Sequence, residues 1–284
     1  MKLCVSSYSY SKHVKAARWT YGDICRHAKE TGFDGIEFIE LDSPVLGIAS
    51  EPEFAADEIR GICACLGLEV VAYTVGANFL AEDLQAELST LRSRVDIAAR
   101  LGAPILRHDV CAGPRPVHGY HYTDAIAEML PGIREIAAYA EARGIRTCTE
   151  NHGRYFQDPE RVEALIRTVN HPNYGWLVDF GNFMGVDADV TRAVSIAVDY
   201  AVHVHAKDVL AKPGTQPKPY GFYRSRLGNY LRGTVIGHGA VPVAQCINIL
   251  KEHGYDRYVC VEFEGWEETL PSIEAGYHAL RALI

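Results

Sequence analysis

The sequence lacks the features that place a protein at a membrane or on nucleic acid. No apolar run approaches the roughly 18 residues that a membrane span requires. Lys and Arg form no basic cluster, and the formal net charge of −8 disfavours binding to a phosphate backbone or an anionic lipid surface. The N-terminal segment also lacks the basic and apolar regions of a signal peptide. We therefore expect a cytoplasmic protein with no nucleic-acid or membrane partner.

The cysteines form no disulfide pattern. None of the eight belongs to a C-x-x-C pair, and most lie in apolar segments, as small core residues of a reducing compartment do. The 48% hydrophobic and 23% charged content is typical of a globular protein with a sizeable core. Because α/β barrels commonly form one domain of about 250 residues, residues 1–284 are expected to form a single domain.

A glycine recurs where helical text gives way to an apolar strand. Gly32, Gly67 and Gly102 are 35 residues apart, and Gly144 and Gly254 repeat the arrangement. Glycine suits the residue after a helix because that position often adopts the left-handed conformation. The regular period predicts repeated βα units.

Eight such units follow from the pattern of apolar residues. Strands are predicted at 2–8, 34–38, 69–73, 104–108, 146–150, 174–179, 201–205 and 258–262. Helices are predicted near 20–31, 52–66, 83–101, 122–143, 158–169, 187–199, 241–253 and 269–283. Strict alternation predicts an α/β fold, a single (β/α)8 TIM barrel. An open doubly wound sheet is the structural alternative, but no G-x-G-x-x-G follows the first strand.

Two segments are too long to be simple connections. Residues 212–224 are rich in proline and aromatic residues, and residues 111–121 follow the fourth strand. Both are expected as loops at the C-terminal mouth of the barrel, where barrel enzymes place their active sites.

Four titratable residues end the last four predicted strands: Glu150, Asp179, His205 and Glu262. Neighbouring barrel strands bring such ends together. Buried carboxylates are costly unless they are paired, hydrogen-bonded or bound to a cation, so the set predicts a divalent metal site. The alternative for each acid alone is a helix cap or a lysine pair.

Strand alternation indicates which side chains share a face. His203, His205 and Lys207 lie on one face of the seventh strand. We take His205 as the ligand and His203 as a core histidine. Glu262 is preferred to Glu264, which already lies in the following loop.

The order of four motifs resembles the xylose isomerase-like barrel superfamily of sugar isomerases and epimerases. These are Glu-Asn-His-Gly at 150–153, Asp-x-Gly-Asn at 179–182, His-x-His-x-Lys-Asp at 203–208 and Val-Glu-Phe-Glu at 261–264. The resemblance covers essentially the whole chain. It implies one divalent metal ion on the four candidate ligands, with Mn²⁺ expected and Mg²⁺, Co²⁺ or Zn²⁺ as alternatives.

The resemblance also implies an activity. The expected reaction is isomerisation or epimerisation of a ketose or keto-sugar, in which an α-proton is removed through an enediolate. In ketose 3-epimerases of this superfamily the two metal-bound glutamates exchange the proton from opposite faces of the sugar. That comparison gives these catalytic roles to Glu150 and Glu262.

Five further residues are expected to contact the sugar: Tyr8, His108, His152, Asn182 and Lys207. His152 and Asn182 match positions that resemble substrate contacts in the family, although the ketose 3-epimerases tend to have histidine in place of Asn182. His108 and Lys207 are each suited to act as acid, base or hydrogen-bond donor. Arg107 lies on the opposite face of its strand from His108 and is interpreted as structural.

Three other functions remain open at this point. A metal-dependent lyase or dehydratase acting on a keto-inositol or an oxidised 3-keto glycoside shares the α-proton step, with His108 or Lys207 assisting the leaving group. An abasic-site endonuclease resembles the same barrel, but the acidic balance disfavours it. A sugar-binding protein without catalysis is the third. The expected partner is a small sugar, and self-association is expected by analogy with relatives.

Overall fold

Five glycines follow helices and turn the chain into barrel strands. Gly32, Gly67 and Gly102 have φ values of 107°, 62° and 82°, and Gly144 and Gly254 have 69° and 72°. These values lie in the left-handed region that side chains with a Cβ rarely adopt. The recurring glycine in the sequence therefore marks the helix ends that we predicted.

The computed structural model describes residues 1–48 and 51–284. Its strands are β1 Lys2–Ser6, β2 Gly35–Ile39, β3 Glu69–Val75, β4 Ile105–His108, β5 Arg146–Glu150, β6 Tyr174–Asp179, β7 Ala201–Ala206, β8 Asp208–Lys212, β9 Tyr223–Arg224, β10 Tyr230–Thr234 and β11 Tyr258–Val261. Its α-helices are α1 Ser11–Ala17, α2 Tyr21–Thr31, α3 Pro52–Leu66, α4 Leu84–Leu101, α5 Tyr122–Glu141, α6 Pro159–Val169, α7 Val190–Ala197, α8 Val243–Glu252 and α9 Thr269–Arg281.

Eight of these strands close into a parallel barrel in the order β1-β11-β7-β6-β5-β4-β3-β2. This confirms the predicted (β/α)8 TIM barrel and excludes the open doubly wound sheet. The register of β6 and β7 pairs Asp179 with His205. The backbone N–H of Glu262 donates to the carbonyl of Ala206 at 3.1 Å. Asp179 and His205 are therefore register partners, and Glu262 follows Val261, the partner of Ala206, at the neighbouring strand end.

Three local features differ from the sequence prediction. The first strand ends at Ser6, whose hydroxyl accepts from the backbone N–H of Tyr8 at 3.4 Å and caps a 3-10 turn over Ser7–Tyr10. Helix α1 was not predicted. The segment 212–224, expected as a mouth loop, runs from the end of β8 to β9, and these two strands form a small antiparallel sheet with β10.

The barrel interior below the strand ends is filled by small and aliphatic side chains. Cys4, Val71 and Cys260 form one buried cluster. Cys148, Leu177 and Val202 form another. Cys148, Leu177 and Cys260 each precede a predicted ligand by two residues, so the ligands stand on a packed floor.

Most of the cysteines lie in the core, as their apolar sequence context predicts. All eight cysteines are free thiols, and six of them are buried. Within residues 1–48 and 51–284, no helix has the length and apolar character to cross a membrane.

Candidate metal centre

The four predicted ligands converge at the C-terminal mouth of the barrel. Glu150, Asp179, His205 and Glu262 each offer one ligand atom, and these atoms all lie within 4.8 Å of one another. Asp179 and His205 are fully buried, and Glu150 is 5% exposed. Glu264, the alternative to Glu262, is not part of this group.

Two atoms at the centre of the group, His205 Nδ1 and Asp179 Oδ2, have no hydrogen bond from the described part of the chain. Glu262 Oε2 beside them lies 2.6 Å from the ammonium nitrogen of Lys207. His205 Nδ1 lies 3.5 Å from Glu262 Oε1 and 3.9 Å from Asp179 Oδ2. Buried polar atoms normally have partners, so unpartnered atoms that face one another fit a bound cation. Three carboxylates and one imidazole form a donor set that suits a divalent metal ion.

Asn151 fixes the two acidic strand ends relative to each other. Its side chain accepts from the backbone N–H of Asp179 at 3.0 Å and donates to the carbonyl of the same residue at 2.8 Å. Its oxygen also accepts from Trp176 Nε1 at 3.1 Å. Sequence analysis did not identify this role, although Asn151 is the residue next to Glu150.

Glu150 is held by two neighbouring side chains. Arg107 Nη2 lies 2.6 Å from its Oε2, and Asn182 Nδ2 donates to its Oε1 at 2.7 Å. Arg107 also lies 3.0 Å from Asp109. Arg107 does lie on the opposite face of its strand from His108, but the interpretation of it as merely structural is wrong, because it lines the mouth cavity. Asn182, expected to grip the sugar, instead binds a candidate metal ligand.

Lys207 places a buried ammonium group among the acidic residues. Its Nζ lies 2.6 Å from Glu262, 3.2 Å from Glu264 and 3.4 Å from Asp179. Burial opposes the charged form, yet these carboxylates raise the pKa of Lys207 well above its usual value. Burial also opposes ionisation of Glu262, but the charges of Lys207 and His205 hold its pKa well below the usual range. For Asp179 burial dominates and raises the pKa.

His152 and Asp109 form a hydrogen-bonded pair at the cavity wall. His152 Nδ1 lies 3.0 Å from Asp109 Oδ1. This bond raises the pKa of His152, whose side chain is half-exposed. Burial opposes ionisation of Asp109, but Arg107 and His152 lower its pKa. A histidine whose Nδ1 is held by a carboxylate is an arrangement typical of an acid–base group.

A cavity of about 350 Å³ opens above these residues. Its lining includes Tyr8, His152 and Lys207 from the expected sugar contacts, together with Glu150 and Glu262. The negative charge of Glu264 and partial burial raise the pKa of Tyr8, so its hydroxyl remains a hydrogen-bond donor at neutral pH. The volume lies at the lower end of the range for small-molecule sites, about 300 to 1,000 Å³.

His108 does not line this cavity. Its ring stacks against Tyr174 with centroids 5.8 Å apart and contacts Phe79 at 5.3 Å. Its Nδ1 hydrogen-bonds the carbonyl of Asp109 at 2.8 Å. His108 points out of the barrel because the neighbouring Arg107 points inward, and the expectation that it contacts the sugar is corrected by its position. Burial lowers its pKa to about 4.

His203 is buried below the group of ligands, as the prediction of a core histidine requires. Its Nε2 lies 3.0 Å from Glu37 Oε2, and His205 Nε2 lies 2.9 Å from the same oxygen. Both histidines and Glu37 are fully buried. Sequence analysis did not identify Glu37, which lies on the other side of the barrel in β2.

Comparison with known proteins identifies related sequences. A family model described as a xylose isomerase-like TIM barrel matches residues 25–283. A 3-dehydroshikimate dehydratase of Pseudomonas putida is 25% identical over 62% of this chain and 27% of that protein. An inosose dehydratase of Clostridium perfringens is 25% identical over 48% of this chain and 46% of that protein. The matched parts thus span less than half the length of these relatives.

Solved structures share the architecture. A probable 3-DHS dehydratase from Bacillus anthracis superposes with a TM-score of 0.76 at 18% identity, covering 99% of both chains. A D-allulose 3-epimerase from Methylomonas sp. gives 0.74 at 16% identity, covering 100% of this chain and 98% of the other. An IOLI protein with a bound zinc atom gives 0.76 at 16%, with coverage of 100% and 98%. At these identities the likeness shows the fold alone.

Proposed function

The chain belongs to the xylose isomerase-like TIM barrel family, and from that premise we propose that it is a metal-dependent enzyme that removes the proton beside a ketone in a small polyhydroxylated substrate. The observation that carries the proposal is the group formed by Glu150, Asp179, His205 and Glu262, in which the facing atoms His205 Nδ1 and Asp179 Oδ2 lack hydrogen-bond partners within the described residues. The relatives include both dehydratases and epimerases.

The four residues would hold one divalent ion, and three hard carboxylates with one imidazole suit Mn²⁺. Zn²⁺, Mg²⁺ and Co²⁺ are alternatives, because the IOLI structure holds zinc and because the same ligand types bind several divalent ions. When bound, such an ion supplies a Lewis acid that polarises a ketone oxygen and acidifies the neighbouring C–H bond.

His152 is proposed as the base that takes the proton. The carboxylate of Asp109 accepts from its Nδ1, so Nε2 of the neutral ring is the acceptor, and His152 lines the cavity. Glu150 is a poorer base because Arg107 and Asn182 occupy its two oxygens. Lys207 carries a proton near Glu262 and is placed to donate it to a departing oxygen.

A single favoured base together with a separate proton donor supports elimination over epimerisation. His152 receives the α-proton, the bond between the β-carbon and its hydroxyl breaks, and Lys207 protonates the oxygen that leaves as water. The product is a conjugated enone. Epimerisation is the second candidate, because Glu150 and Glu262 approach the site from different strands and both belong to the ligand group.

The charge of the cavity supports an uncharged substrate. Five carboxylates line it, and Asp179 lies beside them. Arg107, Lys207 and the proposed divalent ion offset this negative charge only in part, and Arg107 and Lys207 already have acidic partners. A substrate carboxylate or phosphate would find no unpaired cation among the described lining residues and would be repelled. We propose a neutral keto-polyol, such as a keto-inositol or keto-sugar, as the partner of the site.

The test uses metal-stripped and Mn²⁺-reloaded protein in D₂O with ketoses, inositol ketones, 3-keto-glycosides and 3-dehydroshikimate. Metal-dependent deuterium uptake is expected with a neutral ketone, together with enone absorbance. The variant His152→Gln is expected to lose uptake by about 100-fold or more, the contribution typical of a general base. Retained uptake in His152→Gln and its loss in both Glu150→Gln and Glu262→Gln would instead support epimerisation.

The same material tests the remaining alternatives. Three ions per chain and cleavage of abasic DNA would support the endonuclease, whereas one ion per chain would argue against it. Sugar binding without deuterium uptake would support a protein that binds without catalysis. Cytoplasmic location and self-association remain predictions, which fractionation and sedimentation would check.

A further inference from the structure

Glu37 is a buried carboxylate directly beneath the candidate metal centre. It lies in β2, whereas the two histidines that contact it lie in β7 across the barrel. Its Oε2 is 2.9 Å from His205 Nε2 and 3.0 Å from His203 Nε2. All three side chains are shielded from solvent. A carboxylate with no solvent access is retained only where its contacts stabilise it.

The contact determines which nitrogen of His205 faces the ligand group. A carboxylate can only accept hydrogen bonds, so His205 Nε2 must carry the hydrogen. In the neutral ring, Nδ1 then has a lone pair. Nδ1 is the atom that lies 3.5 Å from Glu262 and 3.9 Å from Asp179. The hydrogen bond to Glu37 therefore leaves the lone pair of His205 on the nitrogen that faces the other candidate ligands.

We propose that Glu37 is a positioning residue that fixes the tautomer and ring orientation of His205 so that Nδ1 is the metal-binding atom. The inference rests on the metal site of the proposed function but does not depend on the reaction performed there. Partners that bind the second nitrogen of a ligating histidine typically contribute about 10- to 100-fold to metal affinity.

Two other readings of the same residues have distinct consequences. Glu37 and His203 could serve packing alone, in which case replacing either would affect metal binding equally. Alternatively, Glu37, His203, His205 and Cys260 form a second group whose ligand atoms lie within 4.8 Å of one another. A second ion there would make Glu37 a ligand and would raise the stoichiometry to two ions per chain.

The first measurement uses the unaltered protein. Long-range ¹H–¹⁵N correlation spectra of the histidine rings identify the protonated nitrogen, before and after addition of Zn²⁺ as a diamagnetic probe. We expect His205 to carry hydrogen on Nε2 and to show its Zn²⁺-dependent shift at Nδ1. Hydrogen on Nδ1, or a metal shift at Nε2, would overturn the inference without any variant having to fold.

The second measurement compares two matched variants. Glu37→Met removes the hydrogen bond to His205, and His203→Met removes only the other bond to the same carboxylate. We expect Glu37→Met to weaken Mn²⁺ binding by about 10- to 100-fold in calorimetry, with saturating Mn²⁺ restoring turnover. His203→Met should change the dissociation constant by less than about threefold. Glu37→Gln retains an acceptor and should fall between them.

Equal losses in the two methionine variants, or unchanged affinity in Glu37→Met, would contradict the role assigned to Glu37. Two ions per chain would also contradict it. Tight Mn²⁺ binding without any turnover would refute the proposed reaction and leave the positioning role intact. The two failures are therefore distinguishable.

Discussion

At the scale of single residues, His108 shows how position in the barrel decides what a titratable group does. It is fully buried, its Nδ1 binds the carbonyl of Asp109, and its Nε2 has no hydrogen bond within the described residues. Burial penalises the charged ring and lowers its pKa to about 4, so in the folded protein His108 stays neutral until the pH falls to about that value. The lowered pKa of His108 therefore affects the pH dependence of folding stability and not the reaction at the site.

The sign of that consequence follows from the two states of the chain. In the unfolded chain His108 has a pKa of about 6.5, so below that pH the unfolded state binds a proton that the folded state does not bind until about pH 4. Stability is therefore unaffected above about pH 6.5 and falls between about pH 6.5 and pH 4. A shift from 6.5 to about 4 corresponds to roughly 3 kcal/mol at the acid end.

The variant His108→Phe tests this prediction. Phenylalanine keeps the contacts with Phe79 and Tyr174 and loses one hydrogen bond, so it should cost about 1 kcal/mol at pH 7. Relative to the unaltered protein it should gain about 3 kcal/mol as the pH falls to about 4, with catalytic activity retained. Urea unfolding of the two proteins across this pH range measures the loss of stability at pH 7 and the gain near pH 4. A pH-independent difference between the two proteins would contradict the assignment.

At the scale of elements, one aspartate holds the inserted sheet onto the barrel. Asp208, the first residue of β8, accepts hydrogen bonds from the backbone N–H groups of Gly237, Gly239 and Val241 at 2.8, 2.9 and 3.1 Å. It also accepts from Val209 at 2.8 Å. The start and end of the insertion are thereby joined next to Lys207, which reaches the candidate metal centre.

Asparagine at this position should weaken the junction. The amide nitrogen of Asp208→Asn would face backbone donors, leaving N–H groups without acceptors, at a cost of about 2 to 3 kcal/mol in unfolding free energy. The control Asp199→Asn, on an exposed aspartate paired with His253, should change stability by less than about 0.5 kcal/mol. Chemical denaturation measures both, and equal effects would show that the junction has no special role.

At the scale of the whole molecule, the barrel brings like charges together at one end. Glu150 and Asp179 end β5 and β6, and Glu262 directly follows β11, so all three lie at one rim of the barrel. The unfolded chain does not hold these residues together. An ion that binds only the folded state raises stability by mass action.

Metal removal should therefore lower the melting temperature. At an ion concentration about 100 times the dissociation constant the gain is about 2.7 kcal/mol, or roughly 5 to 10 °C. The Mn²⁺-dependent shift should vanish in Asp179→Asn and persist in His108→Phe, which lies outside the site. Scanning calorimetry with and without a chelator measures this shift in each variant. A shift of the same size in both variants would mean that the ion binds elsewhere.

The amino-acid sequence by itself determined the barrel and the location of its four acidic or histidine strand ends. Apolar periodicity and the glycines after the helices are local signals, and a parallel barrel places every strand end on one face. No further information is needed to bring Glu150, Asp179, His205 and Glu262 to the same rim.

Only the tertiary structure decided which neighbours complete that rim. From the sequence alone, either Arg107 or His108 could point into the barrel. The register that pairs Arg107 with Cys148 directs the arginine inward. Glu37 reaches His205 from 168 positions away, a contact that no local pattern encodes. Irregularities in register after Ile36 and Trp176 also shift the alternation of side chains. Contacts across a barrel depend on register and closure, which form only when all eight strands assemble.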